Sequence, residues 1–207
     1  MSTAEPKIFE SEGLNLEPEP PIKTDSPHKF SPRETNKVQH QELSKTVYSH
    51  ISKLHRLLSD WSSNRAKGFR VAKLVLNSNL PECDEGYFPS ELSPLMDNLL
   101  DTLKTLKNVV EEMRVVNNQL QALAKLQPSD EPVLVTWSVK KISQEVIAMY
   151  GMARKEFELL EIATENIAHC RDEHILVVYM SSWRPGPYFC SEAYSYLFAE
   201  AGLPPLS

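Results

Sequence analysis

The segment from His169 to His174 carries residue types that bind metals and transfer protons. Its sequence, His-Cys-Arg-Asp-Glu-His, combines imidazole, thiol and carboxylate groups. On a helix the two histidines would be rotated by roughly 140° from each other, so they could not share a face as the i, i+4 pair of a zinc helix does. The segment is more typical of a helix end, an exposed turn and an N-cap at Asp172. A metal-dependent or thiol hydrolase centred on it is the alternative, and Cys170 is expected to be a small buried or half-buried residue.

Other catalytic patterns are not found in the sequence. It has neither a glycine-rich phosphate loop nor a G-x-S-x-G turn, and its six glycines leave little material for either. We therefore expect no catalytic, cofactor-binding or metal-binding residues, no cofactor and no small-molecule substrate. The sequence indicates a protein that is not an enzyme.

Two serines near the N-terminus have the spacing that proline-directed kinases select. Ser26-Pro27-His28-Lys29 fits the S-P-x-K pattern preferred by cyclin-dependent kinases, and Ser31-Pro32-Arg33 is a second candidate. Phosphorylation would add about −1.5 to −2 charge at each site. Ser93-Pro94, in contrast, is explained by helix capping alone.

Composition narrows the class of protein. The hydrophobic fraction of 41% is ordinary for a soluble globular chain, and a net charge of −6 argues against a broad nucleic-acid-binding face. We find no apolar run long enough to span a membrane and no secretory signal. Three widely spaced cysteines, Cys83, Cys170 and Cys190, fit reduced thiols inside the cell. No membrane and no direct nucleic-acid partner are expected.

The distribution of prolines divides the chain. The first 32 residues are rich in proline and glutamate, which predicts a disordered acidic tail over residues 1–37. Long stretches without proline then follow. They predict a helical domain over residues 38–207, with helices at about 38–77, 93–127, 138–170, 172–184 and 191–201.

Apolar periodicity supports the first two helices. In the first helix one apolar stripe contains Val47, Ile51, Leu54, Leu58 and Trp61. Gly68 either weakens that helix or separates it from a second one. Ser93-Pro94 predicts the capped start of the second helix, whose heptad-like seam contains Leu95, Leu99, Leu103, Leu106, Val109, Val110, Met113, Val116, Leu120 and Leu123. Thr102 and Asn117 are small polar interruptions of the kind that can set helix register or the choice of partner.

The third helix begins near Trp137-Ser138 and is predicted to have a wide apolar face. One stripe contains Ile142, Val146, Met149, Ala153, Leu160, Ala163 and Ile167, and a second contains Ile147, Tyr150, Phe157 and Ile162. Such a helix should pack against more than one neighbour, which makes it a candidate central element. The run from Ile175 to Tyr179 has strand propensity as well, but the cap at Asp172 favours a fourth helix. A last short helix is closed by Gly202 and Pro204.

The expected fold class is all-α. Long antiparallel helices are expected to form an elongated bundle or a coiled-coil-like hairpin. A four-helix bundle would bury most helix faces, whereas an elongated hairpin would leave the seam of the second helix open for a coiled-coil partner, and the elongated form is favoured. Trp61 is expected in the core because it lies on the periodic face. The candidate helix-boundary or partner-interface anchors are Trp137, Tyr150, Tyr179, Trp183 and Tyr188.

The residues between about Val47 and Tyr188 resemble the cyclin-dependent kinase 2-interacting protein family. The resemblance is carried by helix breaks and scattered aromatics: Leu58-Ser59-Asp60-Trp61, Gly68-Phe69, Thr136-Trp137, Met149-Tyr150, Arg154-Lys155-Glu156, Ile167-Ala168-His169, and Tyr179 to Trp183 with Pro187-Tyr188. The tail before residue 37 and the aromatic segment from Tyr194 to Phe198 lie outside it.

The resemblance implies a non-enzymatic nuclear adaptor, with the cytoplasm as a second location. Its implied partners are cyclin-dependent kinase 2 and the Cdc7 kinase at replication origins, and the ATR-interacting protein in checkpoint signalling. It also implies an accessory role in a complex of AAA ATPases with a second small helical subunit, at replication forks and in maturation of large ribosomal subunit precursors. The alternative is a generic coiled-coil scaffold subunit of an unrelated complex.

Overall fold

The computed structural model describes residues 32–78, 89–184, 186, 188 and 191–206. Within these ranges the chain forms five α-helices and no β-strand. They are α1 (Pro32–Leu76), α2 (Ser93–Leu126), α3 (Val139–Ile167), α4 (Glu173–Ser182) and α5 (Ser191–Glu200), with a 3₁₀ turn at Ser90–Leu92. The all-α prediction is confirmed. Residues 1–31 of the predicted tail, including Ser26, lie outside the described residues, and residues 32–37 form the start of α1.

Helix α1 begins earlier than the sequence predicts and has no break. It starts at Pro32 and not at residue 38, because proline is tolerated in the first turn of a helix, where its missing N–H is not needed. Gly68 lies within the continuous helix. The 45 residues of α1 correspond to a length of about 68 Å.

Helix α2 packs along both α1 and α3. Eight of the ten predicted seam residues are buried, and Leu95 and Leu123 are partly buried against them. Thr102 and Asn117 are buried with the seam. The seam is therefore covered within the chain and is not open to a coiled-coil partner. The expected side-chain cap at Ser93 is wrong, since the 3₁₀ turn runs directly into α2 and Leu92 occupies the cap position.

Helix α3 is held at its start by Ser138, whose side chain accepts a hydrogen bond from the Lys141 N–H at 3.4 Å. Its first predicted stripe is buried throughout. In the second stripe Phe157 is buried, but Ile147 and Ile162 are exposed, because α2 and α4 cover only part of the helix surface. The prediction that α3 packs against more than one neighbour is confirmed. The central helix is α2, however, because it packs along both α1 and α3, which contact each other little.

Helix α4 confirms the prediction of a helix over a strand. The Asp172 side chain accepts a hydrogen bond from the Ile175 N–H at 3.1 Å, which fixes the N-terminus of α4. Leu176 and Met180 face the core, and Trp183 follows at the C-terminal end.

Helix α5 closes the fold through contacts that the sequence did not predict. Phe198 is buried and meets the His55 ring edge-on with ring centroids 4.9 Å apart. The Glu200 carboxylate accepts hydrogen bonds from the backbone N–H and the hydroxyl of Thr136 at 2.7 and 2.5 Å. Gly202, at φ 66°, ends the helix in the left-handed conformation, as predicted. Helix α5 therefore connects α1 with the start of α3.

No helix in the described ranges combines the length and the apolar character that crossing a membrane requires.

Candidate functional site

A cavity of about 590 Å³ lies between α1 and the end of α4, and we call it the α1–α4 cavity. Its lining includes three aromatic side chains, Trp61, Phe69 and Trp183. The charged residues that line it are Arg65, Arg70, Glu156 and Arg184. The volume is in the range of small-ligand and side-chain pockets, about 300–1,000 Å³.

A buried ion pair lies beneath the aromatic side chains. Arg65 is 3% exposed and Glu156 is fully buried, and Arg65 Nη1 lies 3.5 Å from Glu156 Oε1. The other terminal nitrogen of Arg65, Nη2, donates a hydrogen bond to the Ser182 carbonyl at 3.0 Å. Arg65 therefore joins α1 to α3 and to the last turn of α4 at one point.

Burial is the largest cause of the pKa shifts of Arg65 and Glu156. Loss of solvent raises the pKa of Glu156, and the positive charge of Arg65 and the backbone amide of Gly186 only partly oppose that shift. Burial likewise lowers the pKa of Arg65, and the Glu156 charge opposes it. Among the described residues, no hydrogen-bond partner is found for Trp183 Nε1, and no side-chain hydrogen bond is found for either carboxylate oxygen of Glu156. Desolvation is therefore stronger here than the attraction between the two charges.

Two glycines allow the close packing of the cavity wall. A Cβ atom at Gly68 would collide with the indole ring of Trp183, which is fully buried. A Cβ atom at Gly186 would collide with the Glu156 carboxylate. Gly68 is thus required by the close approach of Trp183 to α1, and the helix is continuous through this position.

The predicted aromatic anchors occupy different parts of the fold. Trp183 lines the α1–α4 cavity, and Trp137 is 9% exposed at the start of α3, with Lys141 Nζ 4.1 Å from its ring centroid. Tyr150 and Tyr179 are half-buried, and Tyr188 is 44% exposed. The structure places both tryptophans at helix boundaries, while contact of any of the five with a partner stays a prediction. The phosphorylation candidates Ser26 and Ser31 lie outside the described residues.

The segment from His169 to His174 forms a helix end, a turn and an N-cap, as the sequence predicted. Cys170 is half-buried and its thiol donates to the Asp172 carbonyl at 3.4 Å. The Asp172 side chain is used as the cap, and both histidines are exposed. Within the described ranges, no three His, Cys, Asp or Glu side chains are grouped in a way that could hold a metal ion.

The buried ion pair was not predicted, although the sequence carries a signal for it. Arg65 follows Trp61 by four residues and so continues the apolar stripe of α1. Glu156 stands between Ala153 and Leu160, at the position where the stripe of α3 is interrupted. A single charged residue in each of two buried stripes indicates that the two helices contribute opposite charges to one site.

Comparison with known proteins supports a relation to one group. No protein-family model matches the chain. The chain is 23% identical over 156 residues to the cyclin-dependent kinase 2-interacting protein of Xenopus laevis, a match that covers 65% of this chain and 75% of that protein. It is 23% identical to the proteins of the same name from Bos taurus, over 72% of this chain and 82% of the relative, and from Homo sapiens, over 67% and 78%. The resemblance indicated by the sequence is thereby confirmed, and the chain is similar over about two thirds of its length to cyclin-dependent kinase 2-interacting proteins.

Proposed function

We propose that this protein is a non-enzymatic adaptor that binds cyclin-dependent kinase 2. The observation that carries the proposal is the similarity to three proteins that are named for this interaction and are matched over most of their own length. Those names describe an interaction and not a reaction.

Features of the helical surface support an interaction role. Helix α4 has a buried stripe but also exposes Ile175, Val177 and Val178. Ile175 and Val178 are three residues apart and so lie on the same face of α4, and neighbouring exposed apolar side chains are typical of surfaces that contact other proteins. Protein partners therefore suit this fold better than a small-molecule substrate.

The finer proposal follows the family resemblance. In it the protein acts in the nucleus, with the cytoplasm as a second location, and links cyclin-dependent kinase 2 with the Cdc7 kinase at replication origins. It supports checkpoint signalling through the ATR-interacting protein. It is also an accessory subunit, with a second small helical protein, of an AAA-ATPase complex in replication and in maturation of large ribosomal subunit precursors.

Affinity purification of the tagged full chain at low salt tests the proposal, with the bound proteins quantified by mass spectrometry. We expect cyclin-dependent kinase 2 to be enriched over a tag-only control, and the amount of AAA ATPase relative to kinase shows which role dominates. Recovery of the well-folded full chain without enrichment of cyclin-dependent kinase 2 would reject the proposal.

A further inference from the structure

The mouth of the α1–α4 cavity is positively charged although the whole chain has a net charge of −6. Arg70 and Arg184 are exposed beside it, and the Arg184 guanidinium lies 5.1 Å from the ring centroid of Phe69. The one carboxylate among the described lining residues, Glu156, is fully buried and already paired with Arg65. Carboxylates would pair with the two exposed arginines, whereas a basic ligand would be repelled by them.

The aromatic lining suits an apolar side chain. Trp61 and Trp183 are buried in the wall, and Phe69 is partly exposed. Aromatic walls of this kind accept a single aromatic or aliphatic anchor, which is the usual centre of a protein–protein contact.

The site is also held in place before any ligand arrives. Trp183 rests directly on Gly68, and Arg65 holds the last turn of α4 through the Ser182 carbonyl. A pocket built from packed helices loses little conformational freedom when it is occupied, which favours affinity.

We propose that the α1–α4 cavity binds an acidic segment of a protein partner. The segment inserts one aromatic or aliphatic side chain between the aromatic residues, and its neighbouring carboxylates pair with Arg70 and Arg184. The inference rests on the proposed role as a protein-binding adaptor and adds the chemistry of the recognised segment.

The probe is a set of fluorescein-labelled synthetic peptides, with a central Phe, Trp, Leu or Ile flanked by Glu. Matched peptides carry Lys in place of Glu, or Ala in place of the central residue. Fluorescence anisotropy on the full chain should show the best acidic peptide binding at least about tenfold more tightly than its Lys and Ala counterparts. The double variant Arg70→Glu/Arg184→Glu should reverse this preference and select the Lys peptide.

Arg114→Glu is the matched control, because Arg114 is an exposed arginine of α2 that does not line the cavity. It should leave peptide binding unchanged, and circular dichroism confirms that each variant is folded. The inference is overturned if Lys and Ala peptides bind as well as the acidic ones, if the double variant keeps the acidic preference, or if a single-stranded oligonucleotide binds more tightly and displaces the peptide. No kinase is present in this assay, so its failure leaves the proposed function to be judged by the affinity purification.

Discussion

Replacement of Arg65 by Met should destabilise the protein strongly at neutral pH. Arg65→Met removes the positive charge that is paired with the fully buried Glu156 carboxylate, together with the hydrogen bond to the Ser182 carbonyl. Breaking a buried pair by removing one member costs about 3–5 kcal/mol, because the other charge stays buried without compensation. The free energy of unfolding, measured by urea titration followed by far-UV circular dichroism, should fall by that amount.

The matched substitution Arg154→Met, at an exposed ion pair, shows how much of the loss of stability in Arg65→Met is due to burial. Arg154 makes an ion pair with Glu158 at 3.0 Å, and both side chains are exposed. Arg154→Met should therefore cost only about 0.2–1 kcal/mol. The same chemical change is thus expected to differ severalfold in cost between the two sites.

The double variant Arg65→Met/Glu156→Leu shows whether the ion pair as a whole raises or lowers the free energy of unfolding. Replacing both members with apolar residues of similar size removes two desolvation penalties as well as the attraction. The double variant should recover the wild-type stability or exceed it, by up to about 4 kcal/mol. The reasoning is refuted if Arg65→Met costs no more than Arg154→Met, or if adding Glu156→Leu lowers stability further.

Three further predictions concern pH, a glycine pair and a helix cap. Because burial raises the pKa of Glu156, the folded state binds the carboxyl proton of Glu156 more tightly than the unfolded chain does. The free energy of unfolding of the wild type should therefore fall as pH rises above about 4.3. In urea titrations at pH values above that, the free energy of unfolding of Glu156→Leu should change less with pH than that of the wild type. Thermal melting should show Gly68→Ala destabilised by about 1–3 kcal/mol through its collision with Trp183, whereas Gly151→Ala, with open space at its Cβ, should be stabilised by about 0.5–1 kcal/mol. Asp172→Ala should cost about 1 kcal/mol and reduce hydrogen-exchange protection in α4; unchanged protection would contradict the capping role.

Much of the fold could be predicted because apolar periodicity follows directly from helix geometry. The stripe that includes Leu58 and Trp61 is buried as predicted, and so are most of the seam of α2 and the first stripe of α3. Periodicity does not show which faces are covered, however. Ile147 and Ile162 are exposed because the described helices leave that part of α3 uncovered, which depends on the packing between helices.

The candidate site was less predictable because it depends on contacts between distant residues. Gly68 and Trp183 are far apart in sequence, and only their contact explains why a glycine occurs inside α1. Arg65 and Glu156 each lie within an apolar stripe, and the sequence alone does not show that their charges meet. The closure of the fold by Phe198 and Glu200 likewise depends on tertiary contacts with α1 and the start of α3.

Calorimetric titration of the purified full chain with purified cyclin-dependent kinase 2 tests the central proposal most directly. The kinase should also be tested with its cyclin, to establish that the preparation is competent to bind. The account predicts a saturable complex with one chain bound to each kinase molecule. A kinase preparation that binds its cyclin but shows no saturable binding to this folded chain would contradict it.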